Sequence, residues 1–128
     1  MRQHVGRALL AAVGVLNIAP ALGAVAPQKM FAAYGIAAAG NDLEVVLRHR
    51  AVLFAVLGLG LLGSVLRPAL RPIVLPANAI SLGSFLLLVL AAGPVGPGLT
   101  RVAAVDVAAL AALGAGAALL REQSAVQR

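Results

Sequence analysis

The sequence feature that most constrains the fold is a charged segment followed at once by a long apolar run. Residues 41–50, NDLEVVLRHR, carry both acidic and basic side chains, whereas residues 51–66 contain no ionisable side chain. A helix over residues 43–66 would be ~36 Å long, which exceeds the ~30 Å hydrocarbon core of a bilayer. The pattern therefore predicts a transmembrane helix whose charged first turns lie at one membrane interface.

Three further apolar runs indicate that the whole chain is one membrane domain. The chain has 128 residues, of which 62% are hydrophobic and 11% are charged, and a soluble domain of this size could not bury so much apolar surface. We predict a single all-α domain, residues 1–128, folded as a bundle of four transmembrane helices. The predicted spans are residues 7–26, 43–66, 72–93 and 102–120.

The segment between the first two spans is too polar and too broken to cross a membrane. Residues 27–40, PQKMFAAYGIAAAG, include Lys29 and Tyr34, which are typical of the membrane interface. We expect a short interfacial helix here. The preceding run could alternatively be a signal peptide cleaved after Ala26, but its length and Pro27 favour a retained span. Pro20 predicts a kink within that span.

The distribution of basic residues predicts the orientation in the membrane. Most arginines flank the amino terminus, the loop after the second span and the carboxyl tail, at positions 2, 7, 67, 71, 121 and 128. The positive-inside rule then predicts an inner-membrane protein with both termini in the cytoplasm. The formal net charge of +6 is spread singly along span ends, so it does not predict nucleic-acid binding.

Three ionisable residues form the predicted polar cluster. Glu44 and Arg48 stand four residues apart on one helical face, and Asp106 is an isolated carboxylate in the fourth span. Because a charge facing lipid costs about 2.5 to 3.5 kcal/mol at mid-membrane, we expect all three to face inward, with Asp106 meeting Arg48. Arg50 should project about 160° away from Arg48 and reach the headgroups. The cluster is either a ligand-binding or proton-handling site or a structural clamp.

Fewer sequence observations support a function for the other polar residues. His49 is a candidate proton carrier or metal ligand, but the one other histidine, His4, belongs to the opposite membrane face, so no metal site is predicted. Asn17 and Asn78, together with Ser81 and Ser84, either line a passage or form hydrogen bonds between helices. The sequence contains no cysteine and predicts no cofactor.

Two apparent nucleotide-binding motifs lack the required context. Residues 58–63 spell GxGxxG, but they lie inside a transmembrane helix, where the glycines would serve helix packing. Residues 4–7, HVGR, lack the second histidine of the HxGH element of soluble nucleotidyltransferases. No phosphate loop, catalytic triad or carboxylate dyad can be assembled.

The chain resembles a group of small bacterial membrane proteins that are broadly DoxX-like. The resemblance covers the whole chain and is most specific at residues 47–51, LRHRA, within the segment NDLEVVLRHRAVLF. Some members are labelled phosphopantetheine adenylyltransferases, a label that the incomplete HxGH element contradicts. The resemblance implies a four-helix bundle and a role associated with redox chemistry or a hydrophobic ligand, without identifying catalytic residues.

These observations predict two alternative functions. The first is a binding or accessory subunit in which Arg48 anchors an anionic or carbonyl-bearing hydrophobic ligand and Glu44 and Asp106 orient the guanidinium. The second is a membrane enzyme or small transporter that uses the same residues for proton transfer, as an isomerase or a quinone-linked protein would. Expected partners are membrane lipid, a hydrophobic small molecule or quinone, and a second copy or another membrane subunit.

Overall fold

The computed structural model describes the backbone of residues 1–37 and 40–126 and the side chains through residue 121. The described residues are almost entirely helical and contain no strand. The helices are α1 (Arg2–Ile18), α2 (Leu22–Val25), α3 (Pro27–Tyr34), α4 (Gly40–Leu66), α5 (Arg71–Ala92) and α6 (Pro97–Val126). Short 3-10 turns connect α1 to α2 (Ala19–Ala21) and α4 to α5 (Pro68–Leu70).

The predicted all-α bundle with four spans is confirmed. In the described part of the chain, four helical segments are long and apolar enough to cross a membrane: Arg2–Val25, Gly40–Leu66, Pro68–Ala92 and Pro97–Arg121. Each begins three to five residues before the predicted start, because the helices continue through their charged or proline-containing first turns. Large apolar side chains such as Val56 and Leu90 are exposed on the outside of the bundle. Lipid would cover these side chains in a membrane.

The four long segments pack around a common axis. Both α1 and α5 pack against α4 and α6, so α1 and α5 stand diagonally across the bundle. The core between them is built mainly from leucine: Leu10, Val13, Leu61, Leu82, Ala109, Leu113 and Leu120. Residues on opposite sides of this core can therefore meet at the bundle axis.

Pro20 interrupts the first span, as predicted. Proline has no backbone N–H and cannot continue the α-helical ladder, so α1 ends at Ile18 and the chain passes through a 3-10 turn before α2. The extended backbone at Ala26 (φ −131°, ψ 74°) then turns the chain into α3. The break brings the end of the first span over the bundle.

The predicted interfacial helix is present as α3, and it packs onto the bundle. Pro27 occupies its first turn, and Gly35 ends it in a left-handed conformation (φ 63°) that glycine adopts without strain. Met30, Phe31 and Tyr34 are buried against Leu47 and Ala51 of α4. Helix α3 therefore forms a lid over one end of the bundle, and this lid contributes to the site described below.

The GxGxxG segment is part of α4, and its glycines lie at helix contacts. A Cβ atom built at Gly58 would stand 2.5 Å from the carbonyl oxygen of Gly14 on α1, so the two backbones touch. A Cβ at Gly60 would be 3.3 Å from Val74, and one at Gly63 would be 3.4 Å from Leu70. These distances support the packing role expected for small residues in transmembrane helices.

Candidate functional site

Asp106 faces the inside of the bundle, as predicted. It shares the buried face of α6 with Ala109 and Leu113, at the three- and four-residue spacing of a single helical face, and only 7% of its surface is exposed. Its Oδ2 atom is buried and has no hydrogen-bond partner. A buried carboxylate oxygen without a partner is unfavourable, so it is a position where a ligand or a proton would be stabilised.

The cation beside Asp106 is Arg50. Its positive charge acts on the Asp106 carboxylate. The central guanidinium carbon lies 5.5 Å from the ring centroid of Tyr34, 5.0 Å from that of Phe54 and 4.7 Å from that of Phe85. All three distances are within the ~6 Å range of a cation–π interaction. We call this arrangement the Arg50 aromatic cage.

The cage concentrates aromatic residues that are otherwise scarce. The sequence has one tyrosine, three phenylalanines and no tryptophan, so three of its four aromatic side chains surround Arg50. They come from the separate helices α3, α4 and α5. Three elements therefore converge on one guanidinium group, whose residue is half-buried at the inner side of α4.

The predicted inward orientation of Arg48 is wrong. Arg48 is exposed, and its Nε donates a hydrogen bond of 2.8 Å to the carbonyl oxygen of Ala24 at the end of α2. The predicted pairing with Glu44 is confirmed, since Arg48 Nη1 lies 3.3 Å from Glu44 Oε1, but the pair is on the outside of the bundle. Glu44 and Arg48 are therefore not part of a network with Asp106.

The reversal of Arg48 and Arg50 follows from the position of the buried face of α4. Leu47 and Phe54 are buried on this helix. At about 100° per residue, Arg50 lies about 60° from Leu47 and about 40° from Phe54, whereas Arg48 lies about 100° and about 120° away. Ala51 and Gly58, which the predicted inner face included, are also buried. The buried positions of α4 together centre near Leu47, however, which leaves Arg50 nearer to the inner face than Arg48.

Of the remaining predicted residues, some form a contact between helices and others lie on the surface. Asn17 Nδ2 donates a hydrogen bond of 2.6 Å to Asn78 Oδ1, and Asn78 Nδ2 donates one of 2.8 Å to the carbonyl oxygen of Val74. This interaction joins the diagonal helices α1 and α5, which supports the interhelical alternative. His49 is exposed. Among the described residues, no three histidine or carboxylate side chains are grouped so that they could hold a metal ion.

A cavity of about 480 Å³ opens beside Asp106 and Arg50. This volume is within the roughly 300 to 1,000 Å³ typical of small-molecule sites. Its walls come from the end of the first span, the lid helix α3, the middle of α4 and the second and third turns of α6. The lining residues are Leu16, Asn17, Ala19, Pro20, Leu22, Gly23, Lys29, Met30, Ala33, Tyr34, Arg50, Phe54, Arg101, Val102, Val105 and Asp106.

The cavity combines apolar walls with a few charged groups. Lys29, Arg50 and Arg101 contribute three basic side chains and Asp106 one acidic side chain, which leaves an excess of two formal positive charges. Apart from Asn17 and Tyr34, the other lining residues are apolar. Such a cavity suits a molecule that has an apolar body and an acidic or carbonyl head group.

A second cavity, of about 350 Å³, lies on the other side of the cage. Arg50 and Phe54 line both cavities and thus form part of the wall between them. The second cavity also includes Ser81 and Ser84, the two serines noted in the third span. Ser84 Oγ donates a hydrogen bond of 3.1 Å to the Ser81 carbonyl oxygen, so this hydroxyl already has a local partner.

Sequence reasoning missed most of the cavity wall. The sequence predicts Lys29 and Tyr34 at the membrane interface and Arg50 at the headgroups, and it predicts no role for Arg101. The sequence did contain one signal for Arg50. Arg50 stands four residues before Phe54, one of only four aromatic residues in the chain, and therefore shares its helical face. The contributions of Tyr34 and Phe85 depend on contacts between helices that helical spacing cannot supply.

Neither the family models, the curated proteins nor the solved structures compared with this chain gave a match. The fold itself defines the class. The protein is a multi-pass, all-α membrane protein in which the first, second and fourth spans, together with helix α3, line a cationic, largely apolar cavity at one end of the bundle.

Proposed function

We propose that this membrane protein binds an amphiphilic small molecule in the cavity beside Asp106 and acts as a ligand-binding or accessory subunit. The single observation that carries the proposal is a buried, unpartnered Asp106 oxygen at a largely apolar cavity that Arg50 also lines. A ligand carbonyl or acidic group would accept hydrogen bonds from Arg50, and a ligand hydroxyl would donate one to Asp106 Oδ2. The apolar body would lie against residues such as Leu16 and Val105.

The charge balance favours an acidic or carbonyl-bearing head group over a cationic one. Lys29 and Arg101 add two cations to Arg50 around the cavity, so an anionic group would be attracted from several sides. A membrane lipid and a quinone both combine an apolar body with suitable acceptor oxygens. The proposed role agrees with the hydrophobic-ligand role that the DoxX-like resemblance implies.

An alternative function is proton transfer in a membrane enzyme or small transporter. The observation that favours it is the same unpartnered carboxylate, which could accept a proton from a bound substrate. Asp106 replaces Glu44 as the proposed proton carrier, because Glu44 is paired with Arg48 outside the cavity. The alternative therefore also depends on Asp106 and Arg50.

Mass spectrometry of the protein released from its native membrane tests the binding proposal. We expect a co-purifying amphiphile in the wild type and at least about a tenfold lower occupancy in Arg50→Gln, because hydrogen bonds to charged groups contribute about 1.5 to 3 kcal/mol. Arg48→Gln is the matched control and should keep the ligand. Equal occupancy in both variants would contradict the proposal. Retention of the ligand by Asp106→Asn, with loss of a pH-dependent turnover or flux, would support the alternative.

We further propose that the protein resides in the bacterial inner membrane with both termini in the cytoplasm. Four spans return the chain to the side on which it began, and Arg2, Arg7, Arg67 and Arg71 belong to that same end. The cavity would then open towards the outer half of the bilayer. Its lid, helix α3, would lie at the external interface.

Reporter fusions test this orientation. We expect fusions after Arg71 and at the carboxyl terminus to report a cytoplasmic position, and fusions after Gly40 and Gly98 to report an external one. Arg71 and Gly98 form the matched pair, because they lie on either side of the third span: Arg71 begins α5, and Gly98 follows the loop after α5. A cytoplasmic signal after Gly40 would place the cavity in the inner half of the bilayer.

A further inference from the structure

The end of the bundle opposite the cavity carries two arginines with unsatisfied donors. Arg7 Nε on α1 and Arg71 Nη2 at the start of α5 are both buried and have no hydrogen-bond partner. The two guanidinium charges act on each other. The contacts of Gly14 with Gly58 and of Ala24 with Arg48 set the register of the antiparallel first and second spans, so Arg7 lies level with the end of α4, where Arg71 contacts the fully buried Ser64.

The end of α4 fixes the position of Arg71. The carbonyl oxygen of Ser64 would normally accept a hydrogen bond from the amide four residues later, but that residue is Pro68, which has no N–H. Arg71 Nε donates to this carbonyl at 3.3 Å. The contact directs the remaining guanidinium nitrogens away from Ser64, and Nη2 is left without an acceptor.

We propose that Arg7 and Arg71 together hold the phosphate of an anionic membrane lipid. A phosphate oxygen can accept from both guanidinium groups at once, which would satisfy both buried donors and neutralise two like charges. The pair lies at the end of the spans, which is the depth of the lipid headgroups. Asp42 and Glu44 belong to the opposite end of the bundle and Asp106 to the cavity, and the side chain of Glu122 is outside the described residues.

The site is independent of the proposed cavity ligand. Its donors come from residues that do not line either cavity, and it requires only a phosphate rather than an apolar pocket. Arg67 supplies a matched control, because it belongs to the same end of the bundle and is exposed. A general attraction between basic side chains and anionic lipid would involve Arg67 as much as the other two.

Native mass spectrometry with phosphatidylglycerol and phosphatidylcholine tests the proposal. We expect Arg7→Gln and Arg71→Gln each to weaken phosphatidylglycerol binding about fivefold, the change expected for one basic contact with an anionic lipid. Arg67→Gln should bind as the wild type does, and phosphatidylcholine binding should be unchanged in all three. An equal loss in Arg67→Gln would overturn the proposal, and so would unchanged binding by Arg7→Gln and Arg71→Gln.

Thermal unfolding in detergent provides a second test, because a purely structural role of the two arginines would not depend on added lipid. Without anionic lipid, Arg7→Gln should be at least as stable as the wild type, because the substitution removes repulsion from Arg71. Added phosphatidylglycerol should reverse this order by stabilising the wild type selectively. Equal protection of both proteins by the lipid would overturn the proposal. Protection of the wild type by inorganic phosphate alone, to the same extent, would overturn the assignment to a lipid.

Discussion

Arg50→Ala is expected to lower the unfolding temperature in detergent much more than Arg48→Ala. The first substitution removes a cation enclosed by Tyr34, Phe54 and Phe85, and it leaves the buried Asp106 without that positive charge. Desolvated cation–π interactions contribute about 2 kcal/mol, and uncompensated burial of a charge adds to this loss, so we expect a destabilisation of about 2 to 4 kcal/mol.

Arg48→Ala is the matched control for this prediction. Arg48 has the same charge and belongs to the same helix, but its side chain is 49% exposed and its ion pair with Glu44 is a surface pair. Such pairs contribute about 0 to 1 kcal/mol, because water screens the charges. A larger destabilisation by Arg48→Ala than by Arg50→Ala would contradict the inward position of Arg50.

A double substitution separates the charge effect from lost packing. Adding Asp106→Asn to Arg50→Ala removes the carboxylate that the first change leaves uncompensated, so part of the stability should return. Thermal unfolding of the two single variants and the double variant gives the coupling free energy. Additive losses would show that Arg50 stabilises the bundle only through its aromatic contacts.

Gly98→Ala is expected to displace the lid helix and weaken ligand retention. A Cβ atom at position 98 would overlap the carbonyl group of Tyr34 and lie 2.7 Å from the nitrogen of Gly35. These are backbone atoms at the end of α3, so a rotamer change cannot relieve the clash. Overpacking of this kind costs about 1 to 3 kcal/mol. Movement of α3 would also shift Tyr34, which belongs to both the cavity wall and the Arg50 aromatic cage.

Gly114→Ala provides the matched control on the same helix. A Cβ atom at position 114 meets nothing within 4 Å. Alanine is favoured over glycine within a helix by about 0.8 to 1.0 kcal/mol, so this variant should be as stable as the wild type or more stable. Unfolding temperature and the occupancy of the co-purified ligand are measured for both variants. If Gly98→Ala keeps both at wild-type values, α3 is not held by the contact at Gly98.

The number of spans and the presence of a short helix between the first two could be predicted because they depend on local chain properties. Residues 51–66 contain no charge, and a run of that kind must form a helix in a membrane, since only a helix satisfies its own backbone hydrogen bonds. Pro20 likewise predicted a break in the first span, because proline has no backbone N–H to continue the helical hydrogen bonds. The inward position of Asp106 followed from the high free energy of a carboxylate facing lipid.

The choice between Arg48 and Arg50 could only come from tertiary structure. Both arginines are within reach of a membrane interface, and spacing alone paired Arg48 with Glu44, a contact that does exist on the surface of α4. What brings Arg50 inside is the meeting of three aromatic side chains from α3, α4 and α5, which are distant in sequence. The sequence by itself determined which segments are helical and that a buried carboxylate needs compensation. The tertiary packing decided which cation faces it, because that depends on how each helix is rotated about its axis against its neighbours.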